Sequence, residues 1–266
     1  MTDALVQRRD YLIGQRRSII ARSLVGSLAG ALPIPFLDDW AVGTILGGGY
    51  KRIASSHQVD MDHDAVDVMV HGQTKPPAIA HIAIGGVLTR VATKAAKRMM
   101  VAIAAINRAR SAARTYTAMT LFDHYCAKLH TGLALDAPTA LVLREEILRS
   151  IDNTPGALAF HPFRKGALSA ARATIRAPLE LVDLASGGRF RRMLAAKSEV
   201  IAEAERVDEI EQVMDAALAE KTNFLSRTVA AIEAQLSSEV NPYLDAALES
   251  LDRRWRARVA AGTIKR

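Results

Sequence analysis

Acidic residues are absent from one long stretch of this sequence. Between Asp67 and Asp123 there is none, while eight bases fall there: Lys75, Arg90, Lys94, Lys97, Arg98, Arg108, Arg110 and Arg114. Residues 1–135 carry 16 Lys/Arg against 9 Asp/Glu, and residues 136–266 carry 19 of each, so the whole net charge of +7 sits in the first half. Such an imbalance points to a polyanionic neighbour, either a membrane surface or nucleic acid. An acidic partner, the chain's own second half included, is the plainer alternative.

Other scarcities narrow the field. Aromatic residues make up 5% of the chain while half of it is hydrophobic, and Ala and Leu dominate. With glycine and proline clustered in a few places, that composition predicts helices rather than sheets. One cysteine, Cys126, excludes an internal disulfide and fits a reducing, cytoplasmic setting. The longest uncharged run, residues 23–37, is fifteen residues and contains two prolines. A spanning helix takes roughly 20 apolar residues, so none is expected, and a re-entrant hairpin is the alternative there. Asp3, Asp10 and four arginines come before any apolar run, so no secretory signal is expected.

Catalytic signatures are missing too. There is no G-x-x-x-x-G-K-[ST], and Gly47-Gly48-Gly49-Tyr50-Lys51 lacks the spacing and the hydroxyl needed to cradle phosphates. No H-E-x-x-H, C-x-x-C or G-x-S-x-G occurs. Asp38/Asp39 and Glu145/Glu146 are neighbours in sequence, so on a helix their side chains diverge by about 100°. No catalytic residue, metal or cofactor is expected.

What is present is organised around residues 22–50, RSLVGSLAGALPIPFLDDWAVGTILGGGY. A helix over 4–31 is expected, apolar and small from Ile19 onward, with Gly26, Ala29, Gly30 and Ala31 letting a second backbone come close. Pro33 and Pro35 end it. Asp38 and Asp39 fall in the first turn of the next helix, which runs to about Ser55. Capping of that helix is the first reading for the pair, and a small-ligand or enzymatic site near them, with His63, the second.

His63, Asp67 and His71 are spaced i, i+4, i+8. That spreads them over two turns, about 12 Å of helix axis, too far for one ion. Asp62 suits an N-cap there, with Met61 as a hydrophobic staple. Lys75-Pro76-Pro77 is a linker, and Gly85-Gly86 a break. The section 88–108 is the best basic amphipathic helix. Leu88, Val91, Met99, Ala102, Ile103 and Ile106 fill one side; Arg90, Lys94, Lys97, Arg98 and Arg108 fill an arc of about 100° opposite. Arg110 and Arg114 swing onto the apolar side, which predicts a bend, a break or an acidic partner near Asn107. Three readings fit this stripe: a solvated face, an anionic membrane surface, or nucleic acid. Scarce aromatics for base stacking rank the last lowest.

In LFDHYCAKLH, residues 121–130, His124 faces away from Cys126, and the cysteine reads as a small buried residue. Asp136 caps a helix with Pro138 in its first turn, ending near Asp152. Residues 190–258 read as long amphipathic helices, with eight acids against two bases from Lys197 to Glu220. Val207, Ile210, Met214 and Leu218 form one seam and Leu225, Val229, Ile232 and Leu236 another. Residues 207–240 therefore also offer a surface for self-association. A helix opened by Asn241-Pro242 ends in DRRWRAR, where Trp255 lies among Arg253, Arg254 and Arg256, the composition of an interfacial anchor or of an RNA contact, with a frayed basic terminus as the plainer reading.

Three segments carry a family resemblance: RRSIIARSLVGSLAGALPIPFLDDW, YKRIASSHQVDMDHDAVDVM and GGVLTRVATKAAK. Residues 16 to about 130 resemble the small helical domain of unknown function found in YcjF-type bacterial inner-membrane proteins and appended to some Era-like GTPases. The resemblance implies an all-helical, membrane-associated module with no established catalytic role, whose GTPase would be a separate protein. The expectation is an all-α chain in two parts, a basic helical domain over 1–132 and a helical region over 133–266 ending in an amphipathic hairpin. The function expected is a non-enzymatic adaptor, cytoplasmic and peripheral on the inner membrane, docking on an anionic surface and on partner helices.

Overall fold

The computed structural model describes residues 10–29, 37–73, 94–154, 156, 212, 214–216, 218–219, 224–238 and 242–262. These residues are all-α apart from two dipeptide strands. A single 3-10 turn, Asp10–Leu12, leads into helix α1, Ile13–Ala29; helix α2 is Leu37–Ser56, strand β1 Asp60–Met61 and helix α3 His63–His71. Helix α4 runs Lys94–Lys128, strand β2 is Ala134–Leu135, and helices α5, α6 and α7 span Ala137–Asp152, Phe224–Ser238 and Pro242–Ala260.

Local chemistry sets several of these boundaries. Asp62 caps α3 by accepting the Ala65 N–H at 2.6 Å, and Gly72 closes it in the left-handed region at φ 80°, donating its N–H to the Val68 carbonyl. A Cβ is disfavoured at that φ, which is why a glycine ends the helix. Asp136 caps α5 by accepting the Thr139 N–H at 2.9 Å, with Pro138 in the first turn, where its missing N–H costs nothing. The Thr139 hydroxyl and the Thr139 N–H together hold the Asp136 carboxyl below the usual carboxylate range.

Helices α1 and α2 pack through small residues. A Cβ on Gly26 would lie 2.9 Å from Leu46 Cδ2, and one on Gly49 would lie 2.3 Å from Met119 Cε and 2.7 Å from Arg22 Cδ. Gly49 thus lets α1, α2 and α4 meet. Arg22 lies within this contact, almost wholly buried, its Nη1 donating to the Ile45 carbonyl at 2.9 Å and its Nε to Ser18 Oγ at 3.2 Å. Around it Ile19, Leu24, Ile53, Met119 and Phe122 are buried, each contributing about 1.5–3 kcal/mol by removal from water. Tyr50 meets Phe122 edge-on at 5.0 Å, and burial pushes its hydroxyl up to about 12.

One expectation is corrected. The helix expected over 4–31 is α-helical from Ile13, after the 3-10 turn, with residues 1–9 and 30–36 outside the described residues. Of the alternatives near Asn107, helix α4 shows no break and the acidic partner is found: Arg114 Nη1 lies 2.9 Å from Asp152 Oδ1. Packing crosses residue 132. Strand β1 pairs in parallel with β2 across it, Asp60 with Ala134 and Met61 with Leu135. One hydrophobic cluster includes Leu24, Val68 and Phe122 together with Leu143, Ile147, Ile232 and Leu251.

The C-terminal half also supplies counter-charges. Arg52 Nη1 lies 2.6 Å from Asp215 Oδ2, and Arg17 Nη2 donates to the Leu218 carbonyl and to Ser226 Oγ, both at 3.1 Å. Part of the charge imbalance is therefore answered within the chain.

Candidate functional site

The residues expected to meet an anionic surface fall into two groups. Arg90 lies outside the described residues, and Lys94, Lys97, Arg98 and Arg108 lie on α4 with side chains outside them. They share one unbroken helix in which the first acid is Asp123. Of the described residues on that half of α4, Ile106, Asn107 and Arg110 are exposed. Asp38 and Asp39 fall in the first turn of α2, as expected, with side chains likewise outside the described residues.

The second group, on α7, is rearranged by the fold. Arg253 and Arg256 are exposed, but Trp255 is only 4% exposed and packs edge-on against Tyr125 at 4.8 Å. A membrane anchor must reach the lipid; Trp255 is a core residue, and the interfacial-anchor reading of it is corrected. Arg254 turns inward with Arg258, four residues on and so on the same side of the helix. Both bind Glu146 of α5.

Glu146 was passed over in the sequence as one of two adjacent carboxylates on α5, and it proves to organise the densest charge cluster among the described residues. Its side chain is 2% exposed, whereas that of Glu145 is about half exposed. Arg254 Nε donates to Oε2 at 2.6 Å; Arg258 donates to Oε1 from Nε at 3.0 Å and from Nη2 at 2.8 Å; Arg149 Nη1 donates to Oε1 at 3.2 Å. Burial alone raises a carboxyl, but the bonds and charges of Arg258 and Arg254 outweigh it, so Glu146 is held below the usual carboxylate range. Arg149 also reaches Glu145 Oε2 at 3.3 Å. The only sequence sign of this cluster was the i, i+4 spacing of Arg254 and Arg258.

A second polar cluster lies on α4. His57, just past α2, places Nε2 2.6 Å from Oδ1 of the fully buried Asp123. Asp123 Oδ2 has no hydrogen-bond partner among the described residues. Burial pushes the Asp123 carboxyl up, more than the His57 bond and the nearby imidazoles pull it down. The next residue, His124, bridges Tyr11 at Nδ1 and Asp252 Oδ1 at Nε2, the latter at 2.8 Å. The carboxylate requires an N–H on Nε2, and the Tyr11 hydroxyl, which both donates and accepts, fits either state of Nδ1.

This arrangement joins the N-terminal turn, α2 and α7 to α4, but it lacks a nucleophile. Burial, then the Asp123 charge, raises the Cys126 thiol well above its usual value, so it is inert as a thiolate source, the small buried residue expected. His63 and Asp67 approach at 3.4 Å on the exposed side of α3, and His71 packs instead against Gly43 of α2. Among the described residues no group of three metal-ligating side chains converges, and no helix is long and apolar enough to cross a membrane.

No protein-family model matches the chain, and no curated protein or solved structure matches it either.

Proposed function

We propose that this protein is a non-enzymatic helical scaffold that docks peripherally on an anionic membrane surface. The observation that carries the reading is the composition of α4. It is one continuous helix, Lys94–Lys128, in which Lys94, Lys97, Arg98, Arg108, Arg110 and Arg114 all precede its single acid, Asp123. The C-terminal part of this helix is held in the core through Met119, Phe122 and Tyr125, so the basic part is attached to a rigid body. Exposed Ile106 beside Arg110 adds the apolar contact that a lipid interface rewards. The likeness of residues 16–130 to the YcjF-type helical domain supports the same reading and suggests a separate GTPase as a partner.

Flotation with liposomes tests it. The protein is expected to rise with vesicles rich in phosphatidylglycerol, to stay behind with purely phosphatidylcholine vesicles, and to be released by salt. Equal recovery with both lipids removes the electrostatic part of the reading. A shift of duplex or single-stranded nucleic acid at low salt without vesicle binding favours the nucleic-acid alternative instead.

A further inference from the structure

From Ile106 to Arg114, helix α4 has one face open to water. Ile106, Asn107, Arg110 and Ser111 are exposed and Arg114 is partly so, whereas Ala109, Ala112, Ala113 and Tyr116 are buried. At about 100° per residue the open set covers an arc of about 140°, on the side opposite the buried set. Its two arginines differ in one respect. Arg114 grips Asp152, the last residue of α5, through both terminal nitrogens: Nη1 lies 2.9 Å from Oδ1 and Nη2 donates to Oδ2 at 3.2 Å. Arg110, one turn earlier, meets no acid among the described residues. The Arg114–Asp152 pair is not buried, its side chains being 42% and 54% exposed, and an ion pair so placed is held weakly.

We infer that this face is where α4 meets the anionic lipid surface, and that Asp152 is its built-in competitor, occupying Arg114 until a lipid phosphate takes its place. The inference rests on the membrane-docking reading. Three points support it. Ile106, Arg110 and Arg114 share one side, the mixture of apolar and cationic chains that a lipid interface accepts, and by position Lys97 and Arg108 fall across the helix from Arg110. A guanidinium that matches two carboxylate oxygens also matches two phosphate oxygens, so a lipid phosphate can replace Asp152 with little change of geometry. Asp152 stands one ion pair from the face, well inside the Debye length of about 10 Å at 0.1 M salt, so its charge is felt there.

Other acids lie too far off to act in this way. Asp60, Asp62 and Asp64 are exposed, but they stand beside β1, whose partner β2 leads into the first turn of α5. The length of α5, about 24 Å, separates that end from Asp152. Arg110 is thus the open cation of the face, and Arg114 the one held in reserve.

Binding of the full chain to vesicles of phosphatidylglycerol and phosphatidylcholine in equal parts tests this. Asp152→Asn is expected to bind about fivefold more tightly than the wild type and Arg110→Ala about fivefold more weakly, the factor carried by one charge at an anionic surface. Asp64→Asn changes the net charge as Asp152→Asn does, but at the far end of α5, and is expected to bind as the wild type does. Melting temperatures of Asp152→Asn and Arg110→Ala are expected to stay close to that of the wild type, which separates docking from folding. A polarity-sensitive dye on Asn107→Cys adds a readout that charge alone would not move; Cys126 is buried, so the label goes to the new thiol, and its emission is expected to shift to the blue on the vesicles. Equal gains in Asp152→Asn and Asp64→Asn would mean that docking follows net charge, and overturn the inference. Vesicle binding with an unmoved dye and no effect of Asp152→Asn overturns it as well and leaves the membrane reading standing. No binding to these vesicles by the wild type or by Asp152→Asn overturns both.

Discussion

Arg254 Nε lies 2.6 Å from Glu146 Oε2, a bond made across 108 residues of chain. It fastens the last helix to α5 through a carboxylate that has left water almost entirely. Leaving water is costly for a charge, and the contact holds because three guanidinium groups, not one, replace the lost hydration. The pair therefore behaves asymmetrically: removing either partner strands buried charge.

Glu146→Ala is expected to destabilise the fold by about 3–5 kcal/mol, the usual cost of breaking a buried ion pair. Urea unfolding followed by circular dichroism measures it. The pH dependence has a defined sign. Because the folded-state carboxyl is held below its unfolded value of 4.5, its stabilisation is complete above that value and is lost as the pH falls through the lower folded value. Glu146→Gln should flatten that acid limb; an unchanged limb would show that other carboxylates set it.

Asp123 has the opposite sign. Its carboxyl is raised above 3.8 on folding, so the stability it contributes is complete below the unfolded value and is lost as the pH rises through the folded one. Asp123→Asn keeps an acceptor for His57 and cannot ionise. Its stability relative to wild type is therefore expected to improve as the pH rises above the unfolded value of 3.8 and to level off once the folded-state carboxyl has ionised. Denaturant midpoints at three pH values decide the matter, and a trend in the other direction would mean that the bond to His57 outweighs burial.

Trp255 and Trp40 are the two tryptophans of the chain. With Trp40→Phe in place, Trp255 becomes the only indole reporter, and its emission is expected to be blue-shifted in the free protein and unmoved by anionic vesicles. An interfacial anchor would shift on binding. Trp255→Ala is expected to cost about 3–5 kcal/mol of stability, as for other large buried aromatics.

Gly49→Ala tests the close approach of α1, α2 and α4. The new methyl would meet Met119 Cε and the Arg22 stem, so a loss of about 1–3 kcal/mol is expected. Met119→Ala in the same chain removes the nearer obstacle, and the double variant should lose less than the two single losses combined.

Features written in short-range chemistry were legible in the sequence. Asp62 and Asp136 announce their helices because a cap needs only the next three residues, and Gly26 announces a close approach because a missing Cβ has one obvious use. The seam of Leu225, Val229 and Ile232 was likewise legible from its spacing, and all three are buried. Contacts between distant segments were not legible. DRRWRAR reads as a basic surface with an aromatic anchor because nothing local reveals that Tyr125 and Glu146 await it. Glu146 has a polar residue's sequence signature and a core residue's burial, and no periodicity distinguishes it from exposed Glu145. The packing across residue 132 was hidden for a similar reason: Gly132 looks like a boundary, whereas the strand that follows it pairs back to β1.

That pairing bears on how the chain folds. The Asp60 N–H reaches the Leu133 carbonyl at 2.7 Å, closing a ring of chain that holds α3 and α4. Closing a flexible ring of roughly 70 residues costs on the order of 4 kcal/mol in chain entropy, more than two dipeptide strands recover by themselves. The clasp is therefore expected to close only once α4 has docked. Its amides should exchange with solvent only as readily as α4 detaches, making two small strands a clock for the longest helix.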